Sequence, residues 1–254
     1  MIFRLLTRCA IALLALGGLC AAPLVYEGFT PSFPVFANGG FGFNGPWTGS
    51  ALYGSFTPGE GSLCYSRLQS NPGSISASPM NGAQTVAFAQ RNLAAPLGTD
   101  NTTVYLSFLI EPSGTLSTQD EYYGIDFGGL FIGKPGMGAM QQYVIETYGG
   151  AGQVPSGKSA TPGRLALLVV KAHFLPGNDQ FTLYVDPTPG QPEPATGVTK
   201  ADLDVGLVTA VDIWSVTFSS SVTIDEIRIG TTYADVVPAS TSILSTLTCI
   251  VEGL

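Results

Sequence analysis

The stretch Val222-Thr-Ile-Asp-Glu-Ile-Arg-Ile-Gly230 limits the fold more than any other part of this chain. Its β-branched residues lie between Ser219-Ser220-Ser221 and Gly230, which is the signature of a strand bounded by turn formers. Its apolar residues change phase: Val222 and Ile224 share one parity, Ile227 and Ile229 the other. A β-bulge near Asp225–Glu226 reconciles the two halves. Without it, Asp225 points inward with Ile227 and Ile229 and needs hydrogen-bond partners.

Other segments repeat the strand signal. In Thr103–Glu111, Val104, Leu106, Phe108 and Ile110 fall on one face, with Tyr105, Ser107, Leu109 and Glu111 on the other. Tyr122–Ile132 and Tyr143–Tyr148 read as further strands, with a turn region at Gly133–Gly138 between them. Arg164–Leu175 is apolar on both faces, which suits a central, covered strand. Pro176-Gly-Asn-Asp179 reads as a hairpin turn into Gln180–Asp186, with Phe181, Leu183 and Val185 inward. Pro187–Gly197 holds four prolines, so it reads as a surface loop, with the strand pattern resuming at Val205. The only helical candidate is Ser240–Val251.

Composition agrees with an all-β chain. Charged residues make up only 11%, while glycine (32) and proline (18) are abundant. The N-terminus reads as a signal peptide over residues 1–21. Arg4 and Arg8 form its basic end, Ile11–Leu19 its apolar stretch, and Ala21-Ala22 supply small residues for cleavage. The apolar run is shorter than the ~20 residues a spanning helix needs. Cys20 follows Leu19 where a lipidation signal would carry a small residue. Losing Arg4 and Arg8 leaves eight basic residues against 18 acidic ones. Such a surface repels phosphate backbones, which argues against nucleic-acid partners. The expected organisation is one domain over 22–238 and a C-terminal tail over 239–254, exported to the periplasm, cell surface or medium. Cys64, in Ser62-Leu-Cys-Tyr65, reads as a small buried hydrophobe on a strand. A disulfide with Cys249 is the alternative.

The Ile-Asp-Glu-Ile-Arg-Ile core resembles the closing strand of laminin-G-like domains in the concanavalin A-like lectin/glucanase superfamily. The Tyr26-Glu-Gly-Phe29 opening and the segment Asn38-Gly-Gly-Phe-Gly-Phe-Asn-Gly-Pro-Trp47 resemble exported proteins of unknown function in planctomycete-type bacteria. The resemblance implies an antiparallel two-sheet β-sandwich of jelly-roll type. It carries no established activity with it.

No catalytic motif accompanies that fold. Glycosidases need two carboxyl groups about 5–9.5 Å apart. Glucanases of this superfamily resemble one another in a Glu-x-Asp-x-Glu strand, and this chain has none. Asp120 and Asp126 share parity but lie roughly 20 Å apart along an extended strand. Asp225 and Glu226 point to opposite faces of a regular strand. Asp202 and Asp204 fall in what looks like a turn. Each of these reads as a solvated or backbone-bonded structural acid. The single histidine, His173, alternates with Lys171 on a strand, and no Gly-x-Ser-x-Gly elbow accompanies it. No cofactor is indicated. Calcium is the one metal left open, with Asn178-Asp179 and the Asp202/Asp204 segment as sources of oxygen.

Aromatic side chains remain as ligand-binding candidates, because sugar faces pack on exposed rings. Trp47, Tyr122, Tyr123 and Trp214 are the candidates singled out, with Tyr143, Tyr148 and Tyr184 also available. Tyr122 and Tyr123 straddle a strand, so only one ring reaches a given surface. The sequence therefore suggests a non-catalytic module binding a polysaccharide or cell-surface glycan. A divergent glycoside hydrolase or lyase and a structural envelope protein are the alternatives.

Overall fold

The computed structural model describes residues 22–30, 39–49, 56–59, 61–79, 84–116, 121–139 and 141–240. The leader, nearly all of the tail, Asp120 and Cys249 lie outside them. Five early strands are β1 (Val25–Glu27), β2 (Phe43–Thr48), β3 (Thr57–Gly59), β4 (Ser74–Ala77) and β5 (Thr85–Leu97). The middle of the chain supplies β6 (Thr103–Gly114), β7 (Tyr122–Phe127), β8 (Leu130–Lys134), β9 (Gln142–Thr147) and β10 (Ala151–Ser159). Then follow β11 (Ala166–His173), β12 (Asp179–Val185), β13 (Val198–Leu203), β14 (Val208–Thr217) and β15 (Ser220–Gly230). One short helix, α1 (Tyr233–Val236), starts at a capping box between Thr232 and Asp235.

These strands form two antiparallel sheets. Sheet A runs β13-β12-β11-β6-β15-β4-β3, with β1 also pairing β15; sheet B runs β10-β9-β8-β7-β14-β5-β2. Consecutive strands cross repeatedly between the sheets, as in a jelly-roll sandwich. The alternation expected in Thr103–Glu111 is met. Val104, Leu106, Phe108 and Ile110 enter the core between the sheets, while Tyr105 and Leu109 join a second apolar cluster on the outer face of sheet A. Strand β11 is central and covered on both sides, with Leu168 and Val170 in the first cluster and Leu167 and Val169 in the second. Leu68, Tyr233, Val236 and Val237 close that second cluster from outside.

The bulge expected in the closing strand is present. The β15–β6 register shifts between Asp225 and Arg228, and Glu226 takes a φ of 56°. Both acids are buried and held by the backbone. Asp225 accepts from the amides of Leu63 and Glu226 and from the Ser62 hydroxyl. Glu226 accepts from the Asn71 amide, the Tyr26 hydroxyl and Arg228. The strand keeps its apolar residues inside by placing a hydrogen-bonded acidic pair at the phase change.

Several expectations need correction. Tyr122–Ile132 is not one strand but the β7–β8 hairpin, because Gly128 and Gly129 both take positive φ at its tip. The strand pattern resumes after the proline loop at β13, before Val205. The Cys64 segment is irregular rather than a strand, and Cys64 is disulfide-bonded, half-buried and not a free core residue. Its partner cysteine lies outside the described residues. Ala239, placed in the tail, bridges Leu68. No helix among the described residues is long and apolar enough to cross a membrane.

Candidate functional site

Sheet B differs from sheet A on its outer side. No second apolar cluster covers it among the described residues. Side chains alternate along each strand, so every second residue of β5, β14, β7, β8 and β9 reaches this face. The register sets them in rows. One row crosses five strands as Gln90, Asp212, Asp126, Phe131 and Glu146. A neighbouring row places Phe88 beside Trp214, with Gly124 next to it.

Aromatic rings gather over these rows. Phe88 and Trp214 lie 4.4 Å apart between ring centres, Trp214 and Tyr148 5.6 Å, and Tyr122 and Phe131 6.0 Å. Tyr148 follows β9 at the tip of the β9–β10 hairpin, and its amide donates to the Gly129 carbonyl at 2.8 Å. The hydroxyls of Tyr148 and Tyr122 influence each other, and burial raises the pKa of both. Tyr148 is 44% exposed, so it is held in place yet open to solvent. Gly149 and Gly150 follow at positive φ and let the hairpin turn there.

Beside the rings lies a pocket of about 280 Å³, lined by Tyr122, Phe131, Met137, Glu146, Tyr148, Gln153 and three glycines. Gln153 fixes one wall. Its amide nitrogen donates to Glu146 Oε2 at 2.7 Å and to the Met137 carbonyl at 3.0 Å, and its oxygen accepts from the Ala139 amide.

Three carboxyl groups occupy the face. Asp126 and Asp212 are direct cross-strand partners on β7 and β14, a relation that sets Cβ atoms about 4.5–5.5 Å apart. Asp126 Oδ1 accepts from the Gly129 amide at 3.0 Å. Asp126 Oδ2 and Asp212 Oδ1 are buried without a hydrogen-bond partner among the described residues. Burial pushes the Asp126 carboxyl up to about 6; the Gly129 amide opposes this and the Asp212 charge adds to it. Burial also raises Asp212, against a hydrogen bond from Gln90. Glu146 is raised by burial too, against Gln153 and the charge of Lys200.

The four residues singled out from sequence do not come together. Tyr122 and Trp214 both stand on the outer face of sheet B. Tyr123, the next residue along β7, is fully buried in the core between the sheets. Trp47 is 4% exposed and donates its indole N–H to Glu27 Oε2 at 3.0 Å. Neither Tyr123 nor Trp47 can touch a ligand on this face. Tyr143 is also core, and Tyr184 lies on sheet A, bonded to Glu193. His173 sits on sheet A beside Gln180 and Thr103.

The acids read as structural divide in the same way. Asp179, in one of the segments considered as a source of oxygen for calcium, is buried and accepts from the amides of Leu175 and Val205. Asp202 is ion-paired with Lys200, and Asp204 accepts from the Gly206 amide. Among the described residues no three acids, cysteines or histidines cluster in a way that could hold a metal ion. Asp126, by contrast, belongs to the aromatic face. Sequence reasoning missed its pairing with Asp212, and missed Glu146, Gln153, Gln90 and Phe88. The alternation of Tyr122, Gly124 and Asp126 was the one available signal, because it puts Asp126 on the side of Tyr122.

No protein-family model matches this chain, and no curated protein sequence does. Similar solved structures include the globular domain of T. cruzi calreticulin, at 12% identity and a TM-score of 0.46, covering 75% of this chain and 86% of that one. Another is the botulinum neurotoxin serotype D binding domain, at 11% and 0.47, covering 92% of this chain and 53% of that one. A third is lectin II from Ulex europaeus, at 9% and 0.43, covering 82% and 99%. The two-sheet topology, rather than these loose superpositions, identifies the chain as an antiparallel β-sandwich of jelly-roll type.

Proposed function

We propose that this protein is an exported carbohydrate-binding β-sandwich whose sugar site is the outer face of sheet B. The observation that carries this is the cluster of Trp214, Tyr148, Phe88 and Tyr122 bordered by Asp126, Asp212 and Glu146. Half-buried rings offer flat apolar surface to the C–H face of a sugar, and the flanking carboxylates accept its hydroxyl hydrogens. A pocket of about 280 Å³ beside the rings gives room for one sugar unit. Export is the expectation from the basic and apolar leader, with polysaccharide or cell-surface glycan as partner. The test is binding of the mature domain to a panel of soluble polysaccharides by isothermal calorimetry. Saturable binding lost in Trp214→Ala and Tyr148→Ala supports the proposal. Undiminished binding in both variants removes this face as the site.

A second function is favoured by one specific observation, the facing of Asp126 and Asp212 across two strands. Retaining glycosidases place an acid and a nucleophile about 5–5.5 Å apart. An acid whose pKa is raised to about 6 suits proton donation to a leaving oxygen. Release of reducing ends from a bound polysaccharide, abolished in both Asp126→Asn and Asp212→Asn, would establish hydrolysis. Binding without release would leave a lectin-like module.

A further inference from the structure

The charge on the aromatic face is of one sign. The acids Asp126, Asp212 and Glu146 all stand there, and every basic side chain among the described residues is placed elsewhere. Arg91, at the β2 side of sheet B, is buried and spends its donors on Glu27, Gly39 and Gly45. Lys134 points inward and donates to the Glu121 carbonyl. Lys200, whose charge reaches Glu146, is fully buried and held by the Gly152 carbonyl and Asp202. Lys158 lines a separate pocket beside β12. Lys171, Arg164 and Arg228 are paired with Glu193, Asp186 and Glu226, and Arg67 lies next to Leu68 on the sheet A side. The internal segments outside the described residues contain no lysine or arginine.

The charged groups of the face are acceptors only. Ionised carboxylates only accept. The amide hydrogens of Gln153 are taken by Glu146 and Met137. Asp126 and Asp212 each keep a buried oxygen without a partner among the described residues. The acids around the rings thus add negative charge and no donor, and the donors left on the face are the neutral hydroxyls of Tyr122 and Tyr148, the Trp214 indole and the Gln90 amide.

We propose that this site takes uncharged, hydroxyl-rich glycan chains and rejects those bearing carboxylate or sulfate groups, with Asp126, Asp212 and Glu146 as the residues that reject them. This selectivity rests on the sugar-binding function above. A uronate or sulfate seated on the rings brings a like charge next to one of these acids. Among the described residues no cation stands on the face to offset this. The chain's net charge of −8 adds a longer-range repulsion of the same sign.

The experiment compares neutral polysaccharides with derivatives of the same backbones oxidised at C6 to uronates. It is run at pH 8, two units above the Asp126 value of about 6, with chelator present so that no divalent cation bridges the charges. Wild type is expected to bind the neutral member of a pair on the order of tenfold more tightly or better. In the triple variant Asp126→Asn, Asp212→Asn, Glu146→Gln that ratio is expected to fall below about threefold. Asp212→Asn alone, at a half-buried position, provides the same readout if the triple variant does not fold. Equal or tighter binding of the oxidised member by wild type overturns the selectivity and leaves sugar binding standing. An unchanged ratio in the variants overturns the roles of the three acids. If neither member of any pair binds, the sugar-binding function itself falls, and the selectivity with it.

Discussion

The rings of Tyr148 and Trp214 approach to 5.6 Å although β8 and β7 separate the strands they extend from. The contact arises because the β9–β10 hairpin tip leans over the β7–β8 turn, where the Tyr148 amide meets the Gly129 carbonyl. The Tyr148 hydroxyl is raised to about 12 by burial and by its neighbours, the charges of Asp126 and Asp212 among them. It therefore remains a neutral hydrogen-bond donor and acceptor throughout the physiological range.

The two tryptophans are expected to respond differently to truncation. Trp47→Ala removes a buried indole and its bond to Glu27, and should cost about 3–5 kcal/mol of stability. Trp214→Ala removes a half-buried ring from the outer face and should cost less than half as much while weakening glycan binding at least about tenfold. Urea denaturation and calorimetry on the same two variants check this.

Tyr122 and Tyr123 provide a second contrast, one residue apart. The Tyr123 hydroxyl is buried with no partner among the described residues. Tyr123→Phe should change stability by no more than about 1 kcal/mol, with gain as acceptable as loss, because no hydrogen bond is broken. It should leave ligand binding intact. Tyr122→Ala should weaken binding through loss of its ring.

The raised Asp126 carboxyl sets a pH dependence. Its folded pKa of about 6 stands above the ordinary value of 3.8. The folded state therefore holds this proton more tightly than the unfolded state. Its contribution is fully present below about pH 4 and is lost as pH rises through about 6. The shift corresponds to at most about 3 kcal/mol. Asp126→Asn should accordingly gain stability over wild type at pH 7.5, with the gain shrinking toward pH 4. Denaturant melts of both proteins at several pH values measure the difference; a pH-independent difference would contradict the assignment.

The closing strand should be sensitive at Glu226. Glu226→Ala removes the acceptor of Tyr26, the Asn71 amide and Arg228 together, and strands the Arg228 charge in the interior. A loss of about 3–5 kcal/mol is expected. Glu226→Gln keeps the shape and should cost less. A small effect of the alanine change, read from denaturation midpoints, would show that the bulge is held by backbone pairing alone.

Local periodicity made much of the fold legible. Two faces of Thr103–Glu111 could be read because each neighbour in the chain points the opposite way, and the bulge at Asp225–Glu226 followed from a change of phase. The same alternation separated Tyr122 from Tyr123. The partnership of Asp126 with Asp212 was not legible, since it depends on which distant strand lies beside β7 and in what register. Trp47 and Trp214 looked equivalent for a related reason. Trp47 packs on Phe29 and Phe43 in the core, and its indole N–H is held by Glu27, itself paired with Arg91 of another strand; no pattern around Trp47 announces these partners.

Strand β7 also has a practical consequence. Its inward residues Tyr123, Ile125 and Phe127 hold the sandwich together, while Tyr122, Gly124 and Asp126 between them face outward. On sheet A the outer side of β6 and β11 is apolar and covered instead. Positions 88, 90, 122, 126, 212 and 214 can therefore be randomised as a set, giving a library in which the outer face is redrawn on a scaffold whose interior stays constant.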